Sequence, residues 1–332
     1  MSALLELVGV TVRYRAEGAH GGELTAVDDA SFRVDEGEML GLVGESGCGK
    51  TTLGRAILRL VPLAGGEVRW QGRRIDALDR RRFRPLRREL QFVFQDPNAC
   101  LDPRMTIARS VAEPLRSLVA ELTSAARTER VSRQLAEVGL SPELAERYPH
   151  QLSGGQLQRA VIARALVVDP RFVVCDEPVS ALDVSVQGQI VNLLARIRRE
   201  RRLSSLFISH NLAVVARLCE RVMVMYRGRI VEVAARETVV RAPLHPYTRE
   251  LLDAVPLIDA SAKRRVLARP VGRELADAAE GGSGCAFAAR CPHAQPRCRS
   301  ERPELRPAAD RRLVACHRAG EWPRGLPPLV LG

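Results

Sequence analysis

Lysine is almost absent from this sequence. Only Lys50 and Lys263 occur, although the formal net charge is +12, so the basic character comes from arginine. Aromatic residues make up only 4% of the chain, and the arginine-rich runs at 80–88 and 196–202 contain one of them, Phe83. Binding of single-stranded nucleic acid depends on bases that stack on aromatic side chains. We therefore interpret these runs as solvated helix faces and expect no nucleic-acid partner.

Long apolar runs are also absent. No stretch approaches the roughly 18 consecutive apolar residues of a membrane-spanning helix, and the first residues resemble no secretory signal. The composition, 46% hydrophobic and 27% charged over 332 residues, is typical of a globular protein with a buried core. We expect a cytoplasmic location, where the eight cysteines are metal ligands or packing residues and not disulfides.

A glycine-rich loop lies between a short apolar segment and an amphipathic helix. Residues 39–43 are predicted to form a strand and the helix to begin near Lys50, and the loop fits the pattern G-x-x-x-x-G-K-T. The N–H groups of such a loop bind phosphate oxygens, and the helix N-terminus adds its positive dipole end. Lys50 is predicted to bind the β- and γ-phosphates and Thr51 to bind Mg²⁺. The residues predicted to bind ATP are Gly44, Glu45, Ser46, Gly47, Cys48, Gly49, Lys50, Thr51 and Thr52.

Two other apolar segments end in polar residues. "RFVVCDEP" places Asp176 and Glu177 after a buried strand, and "SLFISH" ends at His210. Because parallel strands present their carboxyl ends at one edge of a sheet, these side chains are expected to share a ligand site. Asp176 is predicted to bind Mg²⁺, and Glu177 to act as the general base that polarises the attacking water. His210 is predicted to contact the γ-phosphate.

The stretch "LSGGQLQR" at 152–159 indicates a second anion site. It places a hydroxyl and free N–H groups at the start of a predicted helix, at the residues Ser153, Gly154, Gly155 and Gln156. One chain has only one phosphate loop to fill. We therefore expect a dimer in which these residues close over the ATP of the other subunit.

Together these motifs resemble those of the ATP-binding cassette (ABC) ATPases, over residues 4 to about 235. The resemblance implies that Tyr14 stacks on adenine and that Gln95 in "FQDP" contacts Mg²⁺ and reports the nucleotide state. It also implies that residues 153–156 are the family signature, that Asp183 in "SALD" lies in a loop crossing the dimer interface, and that His210 is the switch histidine.

The same resemblance implies the architecture. We expect an α/β P-loop ABC ATPase with a mainly parallel core sheet, an antiparallel β-subdomain, a helical subdomain and a C-terminal extension. Residues 1–235 would form the nucleotide-binding domain, with the helical subdomain inserted at about 96–158, where it receives a short helix of a membrane permease. Residues 236–332, rich in Pro, Ala and Arg, would form the extension.

Several phrases, above all "PLHPYTRELLDAVP" at 243–256, resemble the oligopeptide/dipeptide importer ATPases. This resemblance implies that ATP-driven dimer closure energises the import of peptides or related small solutes. The implied partners are a paired ABC ATPase subunit, in a heterodimer or in isolation a homodimer, two membrane permeases, and through them an extracytoplasmic solute-binding protein. The chain would lie on the cytoplasmic face of the membrane as a peripheral protein.

Three alternatives remain open at this point. Nickel or another small solute is an alternative cargo. A soluble ABC ATPase acting on nucleic acid or the ribosome would fit the charge of +12, but such proteins usually carry two cassettes or a long coiled-coil insertion. A relative that only binds nucleotide would have lost Lys50 or Glu177, and both are present.

Four cysteines cluster late in the chain with the spacing C-x5-C-x6-C-x17-C, namely Cys285, Cys291, Cys298 and Cys316. The spacing is looser than the paired C-x-x-C of a zinc ribbon, so it fits either zinc or the four thiolates of a [4Fe–4S] cluster. Resemblance to the oligopeptide/dipeptide group, in which "GCxFxxRCPxAxxxC" recurs, favours the cluster over zinc. The third interpretation is that these are four packed thiols without a ligand.

Overall fold

The computed structural model describes residues 3–15, 22–254 and 283–321. None of the helices in these residues is both long enough and apolar enough to span a membrane. The strands are β1 Leu5–Arg15, β2 Glu23–Val34, β3 Met39–Val43, β4 Gly65–Trp70, β5 Arg73–Arg74, β6 Leu90–Val93, β7 Phe172–Asp176, β8 Ser204–Ser209, β9 Arg221–Tyr226, β10 Arg229–Ala235, β11 Arg306–Ala308 and β12 Arg312–Val314. The α-helices are α1 Lys50–Ile57, α2 Arg80–Phe83, α3 Leu86–Glu89, α4 Pro97–Cys100, α5 Ile107–Leu118, α6 Ser124–Glu137, α7 Gly154–Leu166, α8 Val184–Arg201, α9 Leu212–Leu218, α10 Arg236–Arg241, α11 Pro246–Asp253 and α12 Pro296–Ser300.

The larger sheet has the strand order β11-β12-β10-β9-β3-β8-β7-β6. Its five strands from β9 to β6 are parallel, and β10, β12 and β11 continue it in antiparallel pairings. Every residue of β3, β7 and β8 is buried. Uninterrupted apolar strands of this kind are typical of a parallel sheet that is covered on both faces. The predicted mainly parallel core sheet is therefore confirmed.

One face of this sheet is covered by a smaller antiparallel sheet, with the order β2-β1-β4-β5. Alternate residues of β1, including Leu5 and Leu7, are buried in a core that also contains Leu40 of β3 and Leu53 of α1. The predicted antiparallel sheet is thus present, and its inner face packs on the helix that follows the glycine-rich loop.

The other face packs against helices. The helices α5, α6 and α7 share one apolar core with Val173 of β7 and Phe207 of β8. Threonine side chains cap two of them, since Thr106 accepts from the N–H of Arg109 and Thr123 from that of Ala126. Such caps satisfy N–H groups that have no partner within the helix.

The C-terminal segment contributes two strands that the sequence pattern did not predict. β12 pairs with β10 through Glu232 and Val233, and β11 pairs with β12. Each of the two strands has only three residues, which is too short for an alternating pattern to be visible. Arg312 of β12 is buried and donates to the carbonyl of Ala242 at 2.7 Å.

Gly41 in the middle of β3 provides a test of this packing. A Cβ at this position would overlap Cγ1 of Val215 on α9. We expect Gly41→Ala to lower the free energy of unfolding by about 1–3 kcal/mol, because adding a methyl group to a filled core forces neighbours to move. The measurement is urea unfolding followed by circular dichroism.

The matched control is Gly188→Ala in α8, where a Cβ would meet nothing within 4 Å. Alanine restricts the unfolded chain and favours the helix, so this variant should gain up to about 1 kcal/mol. Equal effects of the two variants would contradict the tight packing of α9 on β3.

Candidate active site

The glycine-rich loop connects β3 to α1 with its backbone pressed against neighbouring strands. A Cβ at Gly44 would overlap the carbonyl oxygen of Met225, and one at Gly49 would overlap that of Ala26. Gly49 also has a φ of 103°, a left-handed conformation that side chains disfavour, and it is the N-cap of α1. These contacts explain why glycine is required at both ends of the loop.

Lys50 lies buried beneath this loop, with 4% of its surface exposed. Its Nζ donates to the carbonyl oxygens of Gly44 and Glu45, both at 2.8 Å. The same nitrogen lies 3.9 Å from Oε1 of Glu177. The ammonium group therefore joins the loop to one of the two carboxylates predicted at the sheet edge.

The predicted magnesium ligands Thr51 and Asp176 are in direct contact. The Thr51 hydroxyl donates to Oδ1 of Asp176 at 3.0 Å. Burial raises the pKa of Asp176, although the Thr51 hydrogen bond opposes that shift. A hydroxyl and a carboxylate are hard oxygen ligands of the type that Mg²⁺ prefers. Asp176 is the last residue of β7 and Thr51 is the second residue of α1, so their contact joins the edge of the sheet to the start of the helix.

Glu177 lies at the centre of the polar cluster. Its Oε2 is 3.0 Å from Nδ1 of His210 and 3.3 Å from Nε2 of Gln95, which donates to it. Because a carboxylate only accepts, the hydrogen bond with His210 requires a proton on Nδ1. Glu177 has a φ of 45°, and strained backbone of this kind is typical of functional sites. Glu177 and His210 follow β7 and β8, so their predicted convergence at one sheet edge is what the structure contains. Gln95, which follows β6, joins them there.

Tyr14 lies near the end of β1 and is 37% exposed. Its hydroxyl is 3.5 Å from Oγ1 of Thr52, the last residue of the predicted phosphate-binding set. The ring thus stands beside the loop with part of its surface open to solvent. Its role in stacking on adenine stays a prediction.

Residues 153–156 form the start of α7, some way along the chain from the glycine-rich loop. The Ser153 hydroxyl accepts from the N–H of Gln156, and the Gln156 side chain accepts from the N–H of Ser153. A Cβ at Gly155 would lie 2.6 Å from Cγ1 of Val186 in α8. Within the described residues, no hydrogen bond or ion pair joins residues 153–156 to the loop at 44–52.

Asp183 is the N-cap of α8, and its side chain accepts no capping hydrogen bond. The helix it precedes packs on Gly155 through Val186, and Leu182, the residue before Asp183, lies beside Gly154. Asp183 therefore lies next to the start of α7 and not in the cluster around Glu177. Its place in a dimer interface stays a prediction.

The four late cysteines line one cavity of about 20 Å³, together with His245 and Phe287. All are free thiols, and burial raises the pKa of Cys285, Cys291 and Cys316, that of Cys316 to about 11. In the described part of the chain, however, no three His, Cys, Asp or Glu side chains are placed to hold one metal ion. The sequence prediction that the thiols converge is consistent with this cavity, but the predicted iron–sulfur cluster or zinc ion is not supported.

One part of the site was missed at the sequence level. Tyr247 and Arg290 contact Glu45 of the glycine-rich loop from the C-terminal region of the chain. Tyr247 lies in the quoted phrase "PLHPYTRELLDAVP" and Arg290 precedes Cys291 in the cysteine motif. Their position in these phrases was visible, but nothing local in the sequence indicates that they reach the loop.

Comparison with known proteins identifies the family. Residues 27–180 match the family model described as ABC transporter, and residues 231–298 match the one described as oligopeptide/dipeptide transporter, C-terminal region. The oligopeptide transport ATP-binding protein OppF of Escherichia coli (strain K12) is 47% identical over 293 residues, which are 88% of this chain and 87% of the relative. The chain belongs to the ABC transporter family. The putative oligopeptide transport ATP-binding protein YkfD of Bacillus subtilis (strain 168) is 46% identical over 295 residues, or 88% and 89% of the two chains.

Solved structures agree with this assignment. An ATP-binding cassette solved as a dimer in a post-hydrolysis state, bound to ADP and Pi, matches with a TM-score of 0.64 and 29% identity, covering 70% of this chain and 98% of that chain. The cbiO1 protein from Clostridium perfringens, part of an ABC transporter complex, matches with a TM-score of 0.63 and 25% identity, covering 72% and 91%. The predicted P-loop ABC ATPase fold and the predicted enzyme class, an ATPase, are confirmed.

Replacing Lys50 tests the geometry of the loop. We expect Lys50→Ala to weaken ATP binding by at least about 30-fold, because a buried cation that would face the phosphates is lost. The measurement is a fluorescence titration with a labelled ATP analogue. Arg133→Ala, which removes an exposed cation of α6, is the control and should leave the affinity unchanged. Equal affinities of the two variants would contradict a phosphate-binding role for Lys50.

Proposed function

We propose that this chain is the ATP-hydrolysing subunit that energises the import of peptides or related small solutes through a membrane permease. The observation that carries the proposal is the complete polar cluster around Glu177, in a chain whose relatives are named oligopeptide transport ATP-binding proteins. The match of residues 231–298 to the oligopeptide/dipeptide C-terminal model supports the same cargo class. The relatives reported above are named for oligopeptides, and neither of them supports nickel as the cargo.

ATP would bind along the glycine-rich loop. The N–H groups of residues 44–52 and the Lys50 ammonium would bind the phosphates, and Tyr14 would stack on adenine. The residues that fit Mg²⁺ are Thr51, Asp176 and Gln95, whose side-chain oxygens suit a hard cation. When bound, the ion neutralises the charge that develops on the β- and γ-phosphate oxygens.

Hydrolysis would depend on Glu177. Its carboxylate accepts hydrogen bonds from Gln95 and His210, so two side chains fix the orientation of the predicted base. A base positioned in this way removes a proton from the attacking water as the water approaches the γ-phosphate. His210 would also contact the γ-phosphate and so make the position of the base sensitive to whether that phosphate is present.

The signature would act across a dimer. Among the described residues, no hydrogen bond or ion pair joins Ser153, Gly154, Gly155 and Gln156 to the loop of their own chain. Their place at the start of α7 suits an anion supplied by another subunit. Asp183, beside them, would lie at the same interface. The partner would be a paired ABC ATPase, in a heterodimer or in isolation a homodimer.

The remaining assignments follow from the family. Residues 1–235 would form the nucleotide-binding domain, 96–158 the helical subdomain that contacts the permeases, and 236–332 the extension. Two permease subunits would connect the ATPase to an extracytoplasmic solute-binding protein, and the chain would lie at the cytoplasmic face of the membrane. Movement of Gln95, which lies one residue before the subdomain, would couple the nucleotide to the permeases.

A role in nucleic-acid binding has less support. Some arginines of the two arginine-rich runs are paired with carboxylates, since Arg88 faces Glu121 and Arg201 faces Glu137. Arg198 likewise pairs with Glu220. An arginine that is already paired with a carboxylate must break that pair before it can neutralise a phosphate. The arginines in these three pairs are therefore poor candidates for a nucleic-acid surface.

For the cysteine cluster we propose the ligand set Cys285, Cys291, Cys298 and Cys316, with a [4Fe–4S] cluster preferred over zinc. The support is their common cavity, their free thiols and the match of residues 231–298, which include three of the four cysteines, to the oligopeptide/dipeptide C-terminal model. A metal would have to draw these side chains closer together. Its role would be structural, because a short segment with little core needs a crosslink.

The transport proposal predicts a specific pattern of ATPase activity. Permease subunits of the same transporter in liposomes should raise the ATPase rate, and nucleic acid should not. Glu177→Gln should lower turnover by at least about 100-fold while ATP still binds, because glutamine keeps the size of the side chain and an accepting oxygen but cannot take up the proton. The measurements are phosphate release and a binding titration.

The control for this variant is Glu304→Gln, which neutralises an exposed carboxylate paired with Arg306. It should keep the full rate. Stimulation by nucleic acid and not by permease would overturn the transport assignment. Persisting turnover in Glu177→Gln would instead show that another group is the base.

The cysteine proposal predicts metal in the purified protein. Protein isolated without oxygen should contain iron and acid-labile sulfide, and Cys291→Ser should lose both, because one thiolate ligand is missing. Cys100→Ser, a thiol outside the cavity, is the control. Metal-free wild-type protein, with equal stability in both variants, would leave four packed thiols. Zinc in place of iron would select the alternative.

A further inference from the structure

Glu45, the second residue of the glycine-rich loop, is held on three sides. Its N–H donates to the hydroxyl oxygen of Tyr247 at 2.8 Å. Its carbonyl oxygen accepts from Lys50 Nζ at 2.8 Å. Its two carboxylate oxygens accept from both terminal nitrogens of Arg290, each at 2.9 Å. Two of these three contacts come from the C-terminal region, and the third comes from the lysine predicted to bind phosphate.

Aromatic packing holds both Tyr247 and Arg290 in place. Tyr247 is fully buried, and its ring packs on Tyr226 and Phe287 with centroids 4.6 Å and 5.6 Å apart. Phe287, which is 2% exposed, belongs to the cysteine segment (residues 284–298). The Arg290 guanidinium lies 5.6 Å from the Phe287 centroid. A paired, bidentate guanidinium fixes direction as well as charge, so Glu45 has one preferred orientation.

The cysteine segment is itself tightly folded around Arg290. The N–H of Cys285 donates to the carbonyl of Cys298 at 2.7 Å, and that of Cys291 donates to the carbonyl of Phe287 at 2.9 Å. A Cβ at Gly284 would overlap the carbonyl of Arg299. Arg290 directly precedes Cys291, so the guanidinium that contacts Glu45 and one of the four thiols are carried by the same short stretch of backbone.

From these contacts we propose that Arg290 and Tyr247 are positioning residues that hold the glycine-rich loop in its nucleotide-binding conformation, so that the folded state of the cysteine segment sets the affinity for ATP. The inference rests on the proposed function only in taking residues 44–52 as the ATP site. Neither residue touches the cluster around Glu177 directly. They act through Glu45, whose carbonyl oxygen accepts a hydrogen bond from Nζ of Lys50.

Linkage makes the coupling reciprocal. If docking of the cysteine segment favours ATP binding, then ATP binding must favour docking by the same free energy. Saturating ATP should therefore slow amide hydrogen exchange in residues 285–298, which lie outside the nucleotide site. A purely structural segment would exchange at the same rate with and without ATP.

The first experiment is a double-mutant cycle on ATP affinity with the full-length chain and a fluorescent ATP analogue. Arg290→Ala and Glu45→Gln should each weaken binding by about three- to tenfold, a moderate change because both side chains keep over a third of their surface in water. The double variant should bind no more weakly than the weaker single variant. Arg290→Lys keeps the charge but loses the bidentate geometry and should be intermediate.

The matched control is Arg297→Ala, which removes an arginine of the same segment that pairs with Glu301. It should bind ATP like the wild type. Tyr247→Phe, which deletes only the hydroxyl that accepts from Glu45, keeps the test valid if Arg290→Ala does not fold, and it should also weaken binding. Thermal midpoints of all variants separate lost affinity from lost stability.

Three outcomes would overturn the inference. These are wild-type affinity in both Arg290→Ala and Tyr247→Phe, additive effects of the Arg290 and Glu45 changes, and hydrogen exchange in 285–298 that does not respond to ATP. Failure of the proposed function has a different signature, because the wild-type chain itself would then bind no ATP. Weakened binding, non-additivity and ATP-dependent protection together would establish the coupling.

Discussion

A buried ammonium group is the constraint on which the site depends. Lys50 is almost completely removed from water, and a cation in such a place must have partners. It finds them in two carbonyls of its own loop and in the nearby Glu177. The loop must therefore keep the carbonyl groups of Gly44 and Glu45 directed at the lysine. Glu177, at the end of β7, must also stay close to it. Phosphate oxygens are negatively charged, as the Glu177 carboxylate is, so they can also bind this ammonium group. The fold therefore buries a cation at the position where ATP would need one.

The parts that the sequence predicted well are those with local patterns. The apolar strands β3, β7 and β8 stand out because they are buried on both faces, and polar residues at their ends predict one shared edge. The contacts of Glu177 with Gln95 and His210 agree with that reasoning. A helix was also expected directly after residues 153–156, and the structure begins it at Gly154. The mainly parallel sheet and the ABC family assignment are confirmed.

The parts that were missed depend on distance along the chain. Arg290 lies 245 residues from Glu45, and Tyr247 lies 202 residues from it. Only the folding of the whole chain brings these residues together, and no local sequence pattern predicts their contacts. β11 and β12 were missed because three residues carry no pattern. The cysteine spacing could predict that the thiols meet, but the placement of each side chain depends on packing around Phe287.

The pairing of β12 with β10 has a consequence for the order of folding. β10 ends at Ala235 and its partner β12 begins at Arg312. The stretch of chain between the two strands is about as long as a small domain. During synthesis β10 therefore emerges as an open edge strand, with unpaired N–H and C=O groups that attract other strands. It stays so until residue 314 has left the ribosome. The late segment thus covers part of the β10 edge. A nascent or truncated chain that stops before it would expose the whole edge and be prone to aggregation.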